Sequence, residues 1–228
     1  MLHISILTLF PELFVSPFSQ SIIKRAIDTN KASLEYVNFR DFSTDSYKSV
    51  DDHPYGGGQG MILRVDIIDR ALTHAKIKYP SLTTRSILLD PQGTPYTQAK
   101  AKELSSLEHL VLVCGHYEGI DERARKLVDE EISIGDYILT GGEIPAMVIV
   151  DSVVRLLPQT LKKSEATIDE SFTVNLLEYP QYTRPETYKS RHVPKVLLSG
   201  NHQKIDQWRK DRAQERTAAR RPDMLRGK

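Results

Sequence analysis

Residues 110–123 read LVLVCGHYEGIDER, an apolar run followed at once by a segment that carries two glycines. Five consecutive apolar residues are typical of a buried strand. Two more segments have the same form: SILLD (86–90) leads into PQGTPY, and an expected short strand (131–135) leads into a stretch that contains LTGGEIPAM. Ligands of open α/β sheets bind beyond the carboxyl ends of the strands. The three glycine-bearing loops therefore predict one pocket built largely from backbone groups.

Apolar runs alternate with amphipathic stretches along the first two thirds of the chain. This rhythm predicts an α/β fold in which helices cover a mostly parallel sheet. Pro145 falls in the first turn of the last expected helix, where proline is tolerated. A helical stretch is also expected between the third and fourth strands. The expected strands are 2–9, 33–39, 86–90, 110–114 and 131–135, and the other expected helices are 18–28, 64–78, 121–129 and 142–157.

The end of the chain differs from the rest in pattern and charge. Periodicity is lost from Pro158 to about Arg184, which indicates an interdomain linker. Residues 184–228 carry 13 Lys and Arg against 5 Asp and Glu, a net +8, whereas residues 1–183 carry 18 against 25, a net −7. A helical region opened by Gly200-Asn201 follows the linker. The basic segment indicates an anionic macromolecular partner, and a solvated helical face is the alternative reading.

Several classes of protein lose support from the composition. Cys114 is the single cysteine, which excludes an intramolecular disulfide and a cysteine cage for a metal. Its C-x-H spacing to His116 is poor for zinc without further ligands. The first residues, MLHISILTLFPELF, have no basic region typical of a signal peptide, and no apolar run approaches the roughly 18 residues of a membrane helix. We expect a cytoplasmic protein without membrane contact.

The segment DDHPYGGGQGM (51–61) has four glycines in five positions. It is not a Walker A loop, because no Gly-Lys-Ser/Thr follows, nor a dinucleotide fingerprint, because the sixth position from Gly56 is Met61. Such a loop allows close backbone approach to a ligand or partner, which is the reading we favour over a mobile turn. Motifs of hydrolases, such as G-x-S-x-G or HExxH, do not occur.

Taken together, these motifs resemble the bacterial tRNA (guanine-N1)-methyltransferase family, TrmD, of the SPOUT superfamily. They occur in order from residue 51 to residue 209, and the N-terminal ISILTLFPELF fits as well. The resemblance therefore covers nearly the whole chain. The matching stretches are DDHPYGGGQGM, LDPQG, CGHYEGIDER, SIGDYILTGGEIPAM, DSVVRLLP, LEYPQYTRP and VPKVLLSGNH followed by WR.

The resemblance implies a fold and an activity that the patterns could not show. The implied fold is an α/β SPOUT-type parallel sheet with a C-terminal trefoil knot in the N-terminal domain, followed by a small α-helical domain. The implied organisation is a methyltransferase domain (1–160), a linker (161–183) and a basic tRNA-binding domain (184–228). The implied enzyme is a homodimer with active sites at the subunit interface. It transfers a methyl group from S-adenosylmethionine (SAM) to N1 of the guanine 3′ of the anticodon, tRNA position 37, and depends on Mg²⁺.

The resemblance also assigns roles to residues, mostly in the three glycine-bearing loops. Arg155 matches the catalytic arginine. The catalytic aspartate of the family stands directly before Ser-Phe, a position that Glu170 occupies here, with Asp169 as the substitute. Glu118 and Asp136 either offset the sulfonium charge of SAM or cap turns. The implied SAM contacts are Leu88, Leu89, Pro91, Gly115, Tyr117, Glu118, Ile134, Gly135, Asp136, Tyr137, Ile138, Leu139, Gly141, Gly142 and Pro145. The expected phosphate contacts are Arg184, Lys189, Arg191, Lys195, Arg209, Lys210, Arg212, Arg220 and Arg221.

Three alternatives remain open on the sequence. A non-catalytic RNA-binding protein of SPOUT shape would keep the basic segment without needing Arg155 and Glu170 together. A nucleotide-dependent oxidoreductase would need a dinucleotide fingerprint, which the sequence lacks. The third alternative is a SPOUT methyltransferase that acts on ribosomal RNA. The segments YPQYTRP and SGNH followed by WR argue against it, and they do so only because they resemble the TrmD family.

Overall fold

The computed structural model describes residues 1–161 and 170–225 of the 228-residue chain. Asp169 lies outside the described residues. The chain divides into two compact units, Met1–Lys162 and Lys163–Lys228. Within the described ranges, no helix is long and apolar enough to cross a membrane.

The first unit contains seven strands and five α-helices within the described residues. Short 3-10 helices at Pro11–Phe14, Phe39–Phe42 and Glu122–Leu127 lie between some of them. In chain order the elements are β1 (Leu2–Thr8), α1 (Val15–Phe18), α2 (Ser21–Asp28), β2 (Ala32–Asn38), β3 (Asp51–Asp52), β4 (Ile62–Leu63), α3 (Val65–Ile77), β5 (Thr84–Pro95), α4 (Gln98–Leu104), β6 (His109–Cys114), β7 (Glu130–Ser133) and α5 (Glu143–Val154).

Five strands form one parallel sheet in the order β2-β1-β6-β5-β7, while β3 and β4 form a separate antiparallel pair. Strand β6 lies at the centre of the sheet and is buried along its whole length. Because successive side chains of a strand point to opposite faces, Leu110 and Leu112 pack in the core beside α5, and Val111 and Val113 pack in the core beside α3. Burial on both faces explains the continuous apolar run that predicted this strand.

The expected α/β architecture with a parallel sheet is confirmed, with local corrections. The helix expected over 18–28 begins only at Ser21, because Gln20 is extended and Ser21 itself has a positive φ of 58°. A separate short helix, α1, precedes it. The helix expected over 121–129 is the 3-10 helix Glu122–Leu127, whose N-cap Asp121 accepts a hydrogen bond from the backbone N–H of Arg123 at 2.9 Å.

Strand β5 does not end at the turn expected at Pro91-Gln92-Gly93. It continues to Pro95 through a bulge, in which Leu89 and Thr94 both pair opposite Ile132 of β7. Residues 90–93 of β5 thus have no paired residue in β7. Gly93 permits this, because a Cβ there would lie 2.5 Å from the backbone nitrogen of Ile132.

The second unit is described from residue 170 to residue 225. Its elements are β8 (Thr187–Tyr188), β9 (Arg191–His192), α6 (Lys195–Leu198) and α7 (His202–Arg220), followed by a 3-10 turn. The side chain of Asn201 caps α7 by accepting a hydrogen bond from the N–H of Lys204 at 3.1 Å, as its position predicts. The antiparallel β8–β9 hairpin was not predicted.

Residues 170–184 contain no helix or strand, yet part of this segment packs on α7. The N–H of Leu177 donates to the hydroxyl of Thr217 at 2.8 Å, and the guanidinium of Arg216 donates to the carbonyl of Glu178 at 3.1 Å. Thr217 is fully buried. The end of the expected linker is therefore held by the second unit.

Two histidines lie at the amino-terminal ends of neighbouring strands of the sheet. His109 is fully buried, and its ring nitrogens lie 3.0 Å from the hydroxyl of Ser5 and 3.2 Å from that of Thr84. The ring of Tyr79 contacts the rings of both His3 and His109. Burial lowers the pKa of His109 to about 4 and also lowers the pKa of His3.

These histidines predict that the first unit loses stability as the pH falls from about 6.5 towards 4. In that window His109 is protonated in the unfolded chain but not in the folded one, so protons favour unfolding. The expected loss is about 1.4 kcal/mol per pH unit, or roughly 3 kcal/mol in all. Urea unfolding followed by circular dichroism at pH 7.5, 6.5, 5.5 and 4.5 measures it. We expect His109→Gln to flatten this dependence and His53→Gln, at an exposed position, to preserve it; equal slopes in both variants would contradict the assignment.

Candidate functional site

The loops that follow β5, β6 and β7 surround one cavity of about 390 Å³ at the carboxyl ends of these strands. The bulge of β5 forms one wall, residues 115–122 form the second, and residues 133–142 with Pro145 form the third. Five of the lining residues are glycines, which leaves much of the wall to the backbone.

Most of the expected SAM contacts lie around this cavity. Leu88 and Asp136 are not among its lining residues: the side chain of Leu88 is buried in the core and Asp136 is exposed. Their roles as SAM contacts stay predictions. The expected residues that line the cavity are Leu89, Pro91, Gly115, Tyr117, Glu118, Ile134, Gly135, Tyr137, Ile138, Leu139, Gly141, Gly142 and Pro145.

Other lining residues were not singled out from the sequence. Most lie inside the motifs that carried the resemblance. Their position in these motifs was a signal that they belong to the site, whereas their residue type gave none. Arg125 lies beyond the motifs, and only its three-dimensional partners show why it belongs to the wall. The additional lining residues are Asp90, Gln92, His116, Gly119, Ile120, Glu122, Arg125, Ile132, Ser133 and Thr140.

Arg125 joins three segments of the wall. Its guanidinium lies 3.2 Å from the carboxylate of Asp90 in the bulge and 2.9 Å from that of Glu122, and it also pairs with Glu131 of β7. The side chains of Arg125 and Asp90 are only 15% and 12% exposed. Asp90 in turn accepts the N–H of Gln92 at 2.8 Å, which fixes the bulge. Charge-assisted bonds of this kind are strong when water is largely excluded.

A buried carboxylate supports the third wall from behind. Glu143, in the first turn of α5, is 4% exposed and accepts a hydrogen bond from the hydroxyl of Thr8 at 2.8 Å. Its other oxygen lies 3.9 Å from Nδ1 of His116, which lines the cavity. Burial, with a smaller contribution from Glu143, raises the pKa of the Cys114 thiol well above its ordinary value. Cys114 therefore stays protonated and is not a nucleophile.

Close backbone packing fixes the position of the third wall. Gly142 donates its N–H to the carbonyl of Gly115 at 2.8 Å. A Cβ on Gly142 would lie 2.6 Å from Cα of Cys114 and 2.8 Å from the nitrogen of Gly115. Only glycine permits the loop to approach the end of β6 this closely.

The glycine-rich segment 51–61 reaches the second wall. A Cβ on Gly60 would collide with the side chain of Glu118, and the N–H of Glu118 donates to the carbonyl of Met61 at 3.1 Å. The positive φ values of Gly56, Gly57, Gly58 and Gly60 make this course possible. The segment therefore lies beside the cavity. This position is compatible with the ligand or partner contact expected for it from the sequence.

The charge of the cavity suits a cation. Three carboxylates line it, those of Asp90, Glu118 and Glu122, against the single guanidinium of Arg125. Over residues 1–161 and 170–225, no three His, Cys, Asp or Glu side chains come together as a metal site would need.

Arg155 is not among the residues that line this cavity. Arg155 follows the last residue of α5, and its backbone N–H donates to the carbonyl of Asp151 at 3.2 Å. It stands ten residues after Pro145, which places it about 15 Å further along the helix axis. Glu170 belongs to the second unit.

Comparisons with known proteins identify the family. A family model described as "tRNA (Guanine-1)-methyltransferase TrmD" matches residues 2–227. Proteins named tRNA (guanine-N(1)-)-methyltransferase from Pelotomaculum thermopropionicum and Geobacillus kaustophilus are 52% and 53% identical to the chain; each match covers 98% of this chain and 90% and 91% of the relative. A protein of the same name from Lactiplantibacillus plantarum is 51% identical over 99% of this chain and 92% of its own length. The chain therefore belongs to the TrmD family of tRNA (guanine-1)-methyltransferases.

Proposed function

We propose that this protein transfers the methyl group of SAM to N1 of the guanine at tRNA position 37. The observation that carries the proposal is the cavity, around which the structure gathers all but two of the residues that match the SAM motifs of the family. Its backbone-rich wall and its excess of carboxylates suit a ligand with a sulfonium cation.

The acceptor nitrogen needs activation, because guanine N1 carries a proton. We assign the removal of this proton to the carboxylate of Glu170, with Asp169 as the substitute. As the proton leaves N1, negative charge spreads to O6, where the guanidinium of Arg155 stabilises it. The carbon–sulfur bond of SAM breaks as the carbon–N1 bond forms, which leaves S-adenosylhomocysteine and methylated guanine.

The position of Arg155 supports a homodimer with shared active sites. Arg155 stands about 15 Å along the helix axis from Pro145, the residue of α5 that lines the cavity of its own chain. A second copy can supply the arginine. The exposed side of α5 is apolar in its first two turns, with Ile144 and Val148 one turn apart and 50% and 42% exposed, as an interface between copies requires.

The remaining implications of the resemblance are part of the proposal. The first unit forms a trefoil knot, supported by the close return of Gly142 to the end of β6. The domain boundaries are 1–160, 161–183 and 184–228, and the basic second domain holds tRNA phosphates. The protein acts in the cytoplasm, where its substrate is. The described residues offer no cluster of ligands for Mg²⁺.

Transfer of a radiolabelled methyl group from SAM to an unmodified tRNA transcript tests the function. A transcript with adenine in place of guanine 37 is the control. Label on the first transcript alone supports the proposal. SAM binding without transfer to either transcript points to another RNA substrate, and absence of both points to an RNA-binding module. Glu170→Gln and Asp169→Asn in the same assay then identify the base by which of them loses activity.

Mixed dimers test the shared site. Arg155→Ala should lack activity, as should Leu139→Arg, which adds a guanidinium to a cavity expected to bind a cation. When the two variants are co-expressed, we expect about a quarter of the wild-type activity to return, since half of the dimers are mixed and each holds one intact site. Arg155→Ala co-expressed with Arg155→Lys is the matched control and should show no such recovery. If co-expression restores nothing, each chain uses its own Arg155.

A further inference from the structure

The second unit exposes aromatic side chains that a small domain would normally bury. Only Ala213 and Thr217 are buried among its described residues, whereas Tyr182 and Tyr188 are 49% and 60% exposed. Exposed aromatic rings are costly in water, and they are enriched where bases or partners stack.

Three aromatic side chains and one arginine make two contacts between residues 179–182 and residues 208–209, and we call this group the aromatic strip: Tyr179, Tyr182, Trp208 and Arg209. The guanidinium carbon of Arg209 lies 5.0 Å from the ring centre of Tyr179. The rings of Tyr182 and Trp208 are 6.4 Å apart and tilted by 52°. At this distance and tilt neither ring covers the face of the other; Trp208 is half-buried, whereas Tyr182 is 49% exposed and can offer its ring to a ligand.

Trp208 and Arg209 of the strip belong to the basic segment of the chain, and Arg209 also pairs with Asp206 at 3.4 Å. Residues 184–228 carry a net charge of +8, and Lys210 directly follows Arg209. Aromatic faces beside cations are the combination that binds single-stranded nucleic acid: the cations attract the phosphates, and the rings stack on bases that are not paired. A purely electrostatic surface would need only the cations.

We propose that the aromatic strip stacks on unpaired bases of the RNA substrate, in addition to the phosphate contacts of the basic residues. The inference rests on the proposed function in one respect, that the RNA is transfer RNA. It assigns to the second unit a share of binding energy that does not depend on salt. The second unit should also bind RNA that contains loops more tightly than fully paired RNA, because bases within a duplex have no free faces.

Trp208 is the only tryptophan in the chain, so its fluorescence reports on the strip alone. We expect an unmodified tRNA transcript to quench this fluorescence and an RNA duplex of equal length to leave it unchanged. Tyr182→Leu keeps an apolar side chain but removes the ring, and we expect it to raise the Kd for tRNA about tenfold. Tyr182→Phe keeps the ring and should bind as the wild type does.

The salt dependence separates stacking from charge. For Tyr182→Leu, the slope of log Kd against log salt concentration should match that of the wild type. Lys210→Gln, which removes a neighbouring cation, should reduce the slope by about one. Unchanged binding by Tyr182→Leu, a changed slope in that variant, or equal quenching by the duplex overturns the inference. Methyl transfer by the wild-type protein, measured in parallel, tests the proposed function independently of these fluorescence results.

Discussion

Replacing Arg125 with methionine is expected to lower the free energy of unfolding of the first unit by about 3 kcal/mol and to weaken SAM binding. The guanidinium is the shared partner of Asp90, Glu122 and Glu131, and it is only 15% exposed. Without it, the mostly buried carboxylates of Asp90 and Glu131 lose their counter-charge. The bulge of β5 and the strand β7 then lose the contact that holds them in register at the cavity.

Arg123→Met provides the matched control for this prediction. Arg123 lies in the same 3-10 helix and pairs with Asp121, but its side chain is 69% exposed. Exposed ion pairs contribute little to stability, so its removal should cost less than about 1 kcal/mol. Chemical denaturation and calorimetric titration with SAM measure both effects. Equal losses in the two variants would show that the Arg125 network does not hold the wall.

Gly142→Ala is expected to weaken SAM binding at least tenfold and to lower stability by about 2 kcal/mol. The added methyl group would meet Cα of Cys114 at 2.6 Å and the nitrogen of Gly115 at 2.8 Å. Both atoms belong to the main chain at the end of β6, so neither can move aside as a side chain would. The third wall must shift outward, which breaks the hydrogen bond from Gly142 to Gly115.

Gly115→Ala is the control for this clash, because it replaces another glycine of the cavity wall at a position where a Cβ has room. Gly115 lines the same cavity, but its Cβ would meet its nearest neighbours, Ile120 and Leu89, at 3.7 Å, an ordinary contact distance. Its φ is not positive, so alanine adds no backbone strain there. We expect a melting temperature near that of the wild type. If Gly142→Ala melts no earlier than Gly115→Ala, the backbone contact does not constrain the wall.

The parts of the fold that follow from local pattern could be predicted from the sequence. The apolar run of β6 predicted a buried strand, and the spacing of the apolar residues over 64–78 predicted the helix α3. Glycine after three strands predicted loops that share a pocket. Asn201 predicted the start of α7, because its short polar side chain can cap the first turn.

Features that depend on distant contacts or unusual turns were not predictable. The turn of the β8–β9 hairpin is formed by Lys189 and Ser190, both with positive φ, where Asn-Gly is the usual signal. The bulge of β5 depends on the approach of Gly93 to β7, some forty residues later in the chain. Spacing along the chain likewise gave no indication that Arg125 meets Asp90 and Glu131.

The glycine-lined wall has a consequence for inhibitor design. A compound that fills the cavity would contact main-chain atoms along much of its surface, and a point mutation cannot remove a main-chain atom. Resistance by adding a side chain is restricted as well, because a Cβ on Gly141 or Gly142 would collide with Glu143 and His116 or with the end of β6. Escape mutations should therefore concentrate at lining residues with large side chains, such as Tyr117 and Ile138. A compound that makes few contacts with these two side chains should be less sensitive to such mutations.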